Sequence, residues 1–448
     1  MAKKNGSIVY KCSNCGYSQP KWLGRCPECG EWNSLEECII DSNTQSAKNG
    51  SSISEKAKPV PLESIKAKDN SRFVIGIGEF DRVLGGGATK RSAILLGGEP
   101  GIGKSTLLIQ TAAAAAKNGY GRILYVSGEE SGAQIKERAE RLNLDCKGIE
   151  ILCTMRLEDI LDALDKINPA IVIIDSIQTV YSAEAGIIPG TINQLKYCSN
   201  ELIGWVKERD SVLLMTAHVT KEGTIAGPKT LEHMVDTVIS FERNNDDVRF
   251  LHAQKNRFGS VDELGIFNMT EKGLEPVLNP ATMFLSEARE NQPAGVACCA
   301  VFEGNRVFLV EIQALVAPAK AAISRVFTDK IESARVSRIA AILEKRVGIK
   351  FLGQDIYINV AGGIRLSESA VDAALAVAMY SARTDKPVAA GTAIFGELSL
   401  AGEIRAVSKI KQRAKTAEGL GFKHIFAAEK TESVEVVKDI ASLIKKIF

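Results

Sequence analysis

Over residues 61–275, apolar runs four or five residues long alternate with longer segments whose apolar positions recur every three or four residues. The first pattern fits a strand buried on both faces, the second an amphipathic helix. It predicts strands at Ala93–Leu96, Ile123–Val126, Ile149–Leu152, Ala170–Ile174 and Val212–Thr216. Helices are expected at Ser105–Lys117, Ala133–Leu142 and Leu157–Ile167. Strand and helix taken in turn mark an α/β domain on a parallel sheet. The rhythm breaks at EKGLEPVLNP, near Glu271–Asn279. Residues 276–448 again mix strands and helices, with Gly and Pro between them, and read as a second α/β domain. Residues 1–40 are dense in Cys, Gly, Trp and Pro, with little periodicity, and residues 41–60 have the Ser, Asn, Lys and Ala content of a flexible linker.

Composition changes this picture little. The 448 residues suggest about three domains at roughly 150 residues each. An apolar share of 45% and a charged share of 25% are ordinary for a globular protein. The net charge of +2 excludes no partner, because a nearly neutral chain can still gather its cations on one surface. The start, MAKKNGSIVYKC, lacks the apolar run of a secretory signal, and the most apolar stretches are too short to span a membrane. The expected location is the cytoplasm, with no membrane partner. Thiols stay reduced there, so the ten cysteines are expected to be metal ligands or core residues.

Four of them have ligand spacing. Cys12 and Cys15 form one Cys-x-x-Cys pair, and Cys26 and Cys29 form another after ten intervening residues. Two tight turns of this kind can close four thiolates around one Zn²⁺, a zinc ribbon whose full coordination makes it structural. Gly16 and Gly30 follow the second Cys of each pair, where a left-handed backbone is often required. Lys11, Lys21 and Arg25 leave open whether the ribbon meets DNA phosphate or protein. Cys38, Cys146, Cys153, Cys198, Cys298 and Cys299 lack this spacing and read as packing residues.

The segment Gly98-Glu99-Pro100-Gly101-Ile102-Gly103-Lys104-Ser105-Thr106 matches the P-loop pattern in full. A strand precedes it and a helix follows. Its glycines let backbone N–H groups wrap the phosphates of ATP, and the helix N-terminus adds favourable partial charge. Lys104 is expected to neutralise the β- and γ-phosphates, and the Ser105 hydroxyl to join the Mg²⁺ shell. Asp175 ends the run AIVIIDS, the place of a carboxylate acting on Mg²⁺. Glu129 follows the strand ILYVSG, where RecA-like ATPases carry the base that orients water. Its neighbour Glu130 leaves the choice between them open.

Further along, VRFLHAQKNRFG is expected to hold a strand over Phe250–Arg257, which would turn Lys255 and Arg257 to one face. Two cations there could reach a neighbouring subunit's γ-phosphate, as arginine fingers do, or bind DNA phosphates. His218 ends the strand after Asp175, a sensor position in related ATPases. The polar, Gly-rich EGTIAGPKT beyond it suits a loop facing a pore, with Lys221 and Lys229 as phosphate contacts.

Taken together, the four-Cys ribbon, GEPGIGKST and above all KNRFG (Lys255, Asn256, Arg257, Phe258, Gly259) resemble the bacterial RadA (Sms) family through the whole chain. The resemblance implies a zinc ribbon, a RecA-like P-loop ATPase core and a C-terminal α/β Lon-protease-like domain. It implies a ring, expected to be hexameric, that hydrolyses ATP on single-stranded and branched DNA. The ring would drive branch migration of recombination intermediates beside RecA, with Lys255 and Arg257 acting on ATP held by the adjacent subunit.

In the tail, the segment matching the Lon nucleophile loop is Glu368-Ser369-Ala370-Val371-Asp372, which puts Ala370 where the serine belongs. Lys411 falls near the Lon lysine, with Ser367 and Ser369 close by. A lysine without its serine performs no acyl transfer, so a scaffold is expected. Lys345, Arg346, Lys409, Lys411, Arg413 and Lys415 are read as a basic surface, facing DNA or merely solvent. The alternatives are an ATP-dependent protease and a nucleotide-switched assembly protein of KaiC type.

Overall fold

The computed structural model describes residues 7–12, 18–19, 21–27, 31–40, 61, 63, 72–186, 190–218, 229–243, 248–277, 280–285, 292–319 and 324–448. The chain divides into two compact units. One comprises Met1–Ile75, Ala88–Gly98 and Leu108–Val238, the other Gly76–Gly87, Glu99–Leu107 and Ile239–Phe448.

The first unit opens with a small antiparallel sheet in which Ser7–Cys12 runs between Ser18–Gln19 and Leu35–Ile40. Its larger sheet holds five parallel strands: Ser92–Gly98, Val212–His218, Ile171–Asp175, Ile123–Ser127 and Ile149–Cys153, in that spatial order. The continuous apolar runs are explained by burial. Every residue of Ser92–Gly98, Ile123–Ser127 and Ile171–Asp175 is buried, while Ile149–Cys153 at the far side is only partly covered. Each fully buried Ile, Leu or Val side chain there contributes about 1.5–3 kcal/mol of hydrophobic free energy.

All five predicted strands are present, with ends displaced by at most two residues. The helices match as closely. Gly132–Arg141 starts on a capping box between Ser131 and Gln134, and Leu157–Ile167 turns Leu157, Ile160 and Leu164 inward. It stops at Asn168, whose φ of 46° is left-handed.

In the second unit the strands Val248–Asn256, Leu264–Thr270 and Gly273–Pro276 pair antiparallel, with Phe250 opposite Ile266 and Phe267 opposite Pro276. EKGLEPVLNP, where the periodicity breaks, therefore holds the strand Gly273–Pro276. The strand Val248–Asn256 stops one residue short of Arg257, which begins the following bend. Strand alternation therefore does not set the direction of Arg257, contrary to the expectation of a strand over Phe250–Arg257.

The rest of this unit is a mixed seven-stranded sheet. Its spatial order is Val326–Thr328, Gln354–Val360, Arg306–Pro318, Val296–Glu303, Thr392–Ile394, His424–Ala427 and Val434–Val436. The helices Ser333–Arg346, Asp372–Thr384, Ile410–Gly419 and Ile440–Ile447 contribute to its apolar core. No helix among the described residues is long and apolar enough to cross a membrane.

Candidate nucleotide site

Parallel pairing aligns the carboxyl ends of the first unit's strands. His218 lies in register with Gly98, and Ser127 with Asp175. Ligands of open α/β sheets bind at this edge, because the loops leaving the strand ends are free to vary there.

Gly98 closes its strand and Lys104 opens the helix Lys104–Lys117. Between them Gly101 and Gly103 take φ of 77° and 114°, values that side-chain-bearing residues avoid. A Cβ on Gly103 would lie 2.6 Å from the Met269 methyl. The Lys104 side chain folds over the loop, its Nζ donating to the Glu99 carbonyl at 3.0 Å. Ser105 and Thr106 are half-buried in the first helical turn. Arg249, which the sequence did not single out, donates from Nε to the Ile102 carbonyl at 3.3 Å and steadies the loop from below.

Asp175 ends its strand only 8% exposed, and none of the salt bridges found among the described residues involves it. Neutral donors hold both of its oxygens. Tyr125 Oη donates to Oδ2 and Thr216 Oγ1 to Oδ1, each at 2.7 Å. Hydroxyl donors orient a carboxylate without pairing it to a fixed cation, which suits an acid acting on Mg²⁺.

The two adjacent acids beyond Ser127 differ. Glu130 is bound by Arg138 through both guanidinium nitrogens, one of them 2.6 Å from Oε1, and its own N–H donates to Ser127 Oγ. Glu129 is exposed, and its Oε1 accepts from Ser176 Oγ at 2.6 Å. A bidentate ion pair holds Glu130 in place, whereas the Ser176 hydroxyl is among the groups that orient Glu129.

Lys255 is half-buried on its strand and Arg257 is exposed just past it. The residues between and after them shape the turn. Asn256 Oδ1 accepts from the Phe258 N–H at 3.0 Å, and its Nδ2 donates to the Val83 carbonyl at 3.4 Å. A Cβ on Gly259 would lie 2.9 Å from Asn256 Nδ2 and 3.4 Å from the Gly85 Cα. His218 ends its strand, but its side chain lies outside the described residues, as does Lys221. Lys229 opens the short helix Lys229–Met234, and its side chain too is outside that set.

Of the ribbon cysteines, Cys12 and Cys26 are buried beside Leu35 and Tyr10. Cys12 Sγ donates to Ser34 Oγ at 3.2 Å, and the Cys26 N–H to the Glu31 carbonyl at 2.9 Å. Cys15 and Cys29 lie outside the described residues. The two described thiols lie at a strand end and in the turn region before Trp32.

In the C-terminal part Ala370 is buried, its carbonyl accepting from the Gly396 N–H and from Cys299 Sγ. A buried methyl offers no nucleophile, which removes the chemistry of the protease alternative at this position. Arg413 corrects the reading of the tail's basic residues. It is 1% exposed and forms an ion pair with Glu368, 2.6 Å from Nη2 to Oε2. The guanidinium also donates to the Ala300 and Ser408 carbonyls and lies over the Phe302 ring. Lys409, Lys411 and Lys415 remain exposed.

Comparison with known proteins decides the family. The "DNA repair protein RadA" of Treponema pallidum (strain Nichols) is 59% identical over 457 residues, covering 100% of this chain and 99% of the relative. The chain belongs to the RadA DNA-repair family. The Bacillus subtilis (strain 168) RadA is 44% identical, covering 95% and 93% of the two chains, and that of Rickettsia felis is 42% identical over 97% and 98%. Three family models match parts of the chain. Residues 10–37 match the Rubredoxin metal binding domain, residues 73–161 an ATPase model described as KaiC, and residues 310–431 the Subunit ChlI of Mg-chelatase. The KaiC match spans the P-loop and the strand before Glu129. It speaks for an ATPase core, while the full-length relatives give no support to the switch or protease alternatives.

Proposed function

We propose that this RadA-family protein is an ATP-driven motor that acts on recombination intermediates during DNA repair. Membership of a DNA-repair family, together with a complete P-loop between a buried strand and a helix, carries the reading. Lys104 binds the β- and γ-phosphates, and the backbone of residues Gly98–Thr106 wraps them. Bound Mg²⁺ would neutralise phosphate charge, with Ser105 and Asp175 as the residues that hold it. Glu129 orients the attacking water, an assignment supported by the capture of Glu130 by Arg138. Lys255 and Arg257 complete the site of a neighbouring subunit or pass its state to DNA.

The ribbon's Cys12, Cys15, Cys26 and Cys29 would hold Zn²⁺, which closes so small a core. The working form in this reading is a hexameric ring in the cytoplasm, tracking single-stranded and branched DNA through phosphate contacts and promoting branch migration beside RecA. The domain division is a ribbon over 1–40, a linker over 41–60, an ATPase over 61–275 and a Lon-like scaffold over 276–448. The pairing of buried Arg413 with half-buried Glu368 favours a structural task for that scaffold.

Phosphate release by the zinc-loaded protein, with and without single-stranded DNA and with Lys104→Ala as the blank, tests the proposal. Stimulation by DNA that disappears in the variant is the expected result. Turnover that no DNA changes would overturn it.

A further inference from the structure

The donors on Asp175 come from both neighbouring strands. Ile174 pairs with Met215, so the next residues, Asp175 and Thr216, lie side by side, and the Thr216 hydroxyl meets Oδ1 at 2.7 Å. On the other side Ser127 is in register with Asp175. Two residues earlier, Tyr125 projects from the same face of its strand and reaches diagonally to Oδ2, also at 2.7 Å. Tyr125 is 1% exposed and Thr216 fully buried, in strands held at every ladder position. Neither donor can leave without opening the sheet.

We propose that Tyr125 and Thr216 are positioning residues: a two-hydroxyl cradle that fixes the Asp175 carboxylate plane for the metal–nucleotide complex. This rests on the assignment of Asp175 to the nucleotide site. A carboxylate at the end of a strand would otherwise rotate about its last bond. With each oxygen accepting one hydroxyl, rotation is arrested, and each oxygen keeps lone-pair capacity for the hydrated cation. Thr216 has a second acceptor, the Ile174 carbonyl, but at 3.4 Å that contact is the weaker one.

The test measures binding of a fluorescent ATP analogue across an Mg²⁺ titration and in EDTA, beside ATP turnover. The variants are Tyr125→Phe, which keeps the ring, and Thr216→Val, which keeps the shape. Thr216→Ser, which keeps the hydroxyl, serves as the rescue. The cradle predicts that Tyr125→Phe and Thr216→Val each raise the Mg²⁺ concentration for half-saturation about tenfold and lower kcat about as much. Binding in EDTA should stay within about twofold, and Thr216→Ser should behave like the parent.

A merely structural role predicts instead that binding falls equally with and without Mg²⁺, and that result overturns the proposal. An unchanged Mg²⁺ requirement in both variants, or Thr216→Ser as impaired as Thr216→Val, overturns it too. Asp175→Asn separates the cradle from its premise. If that variant loses its Mg²⁺ response while the hydroxyl variants keep theirs, only the cradle falls. If Asp175→Asn itself responds normally to Mg²⁺, the placement of Asp175 in the nucleotide site falls, and the cradle with it.

Discussion

Two carboxylates in this molecule, Asp175 at a strand end and Glu368 just before a short helical turn, are treated by the chain in opposite ways. Asp175 receives two hydroxyls and no ion pair among the described residues, so its charge is oriented but not neutralised. Glu368 receives the full guanidinium of Arg413 and the Phe302 N–H, so its charge is matched inside the protein. The first arrangement is costly unless a cation arrives from outside. The second is complete without any ligand. The lesson is that a reactive site and a structural lock can be built from the same residue types. What separates them is whether the charge is satisfied internally.

The largest effect that would sharpen this contrast is at the P-loop. Lys104→Ala should lower phosphate release at least a hundredfold, with or without DNA, while the melting temperature stays within a few degrees. Next, Glu129→Gln should reduce kcat about a hundredfold with nucleotide affinity within about threefold, whereas Glu130→Gln should leave kcat within about threefold. Equal losses in a turnover assay would erase the distinction between the two acids.

On the structural side, Arg413→Met should destabilise the C-terminal part by about 3 kcal/mol, because it leaves Glu368 without its buried partner. The double change Arg413→Met with Glu368→Leu should recover part of that loss. Urea unfolding measures both, and a surface role for Arg413 predicts almost no change.

The smallest effect concerns thiols. Burial pushes Cys198 and Cys298 up to about 12, while Cys153 is exposed. In zinc-loaded protein at pH 8, Cys153 should alkylate quickly and these two only after unfolding, as mass spectrometry of peptides would record. A thiol raised on folding stabilises the fold fully below its unfolded value near 9. That contribution is lost as pH climbs from there towards 12, so alkali should weaken the fold.

Much of this was legible in the sequence. The five parallel strands stood out because burial on both faces demands continuous apolar runs. The P-loop was legible because its glycines and lysine sit at fixed spacing. The antiparallel strands Leu264–Thr270 and Gly273–Pro276 were not, since Gly, Asn, Thr and Glu interrupt any run. Tyr125 and Thr216 stayed hidden because each is a polar group inside a largely apolar run, and only pairing shows which acid it meets. Arg413 was misread among its lysines, yet the helix gave a clue. Ile410, Arg413, Ala414 and Ala417 recur at helical spacing and form its buried stripe. An arginine in that stripe needs a carboxylate partner, and 45 positions away no pattern along the chain points to Glu368.

The close approach at Gly259 ties two distant stretches of the gene together. Its Cα side faces Gly85, which itself takes a left-handed φ of 82°. A Cβ at Gly259 would press on the Asn256 amide at 2.9 Å, while a side chain at Gly85 would sit in a backbone conformation that L residues avoid. Across relatives, position 85 should therefore keep glycine for its conformation, and position 259 for as long as Asn256 shapes the turn beside it. A lineage that lost glycine at one of them would be expected to have rebuilt the Lys255–Arg257 turn altogether.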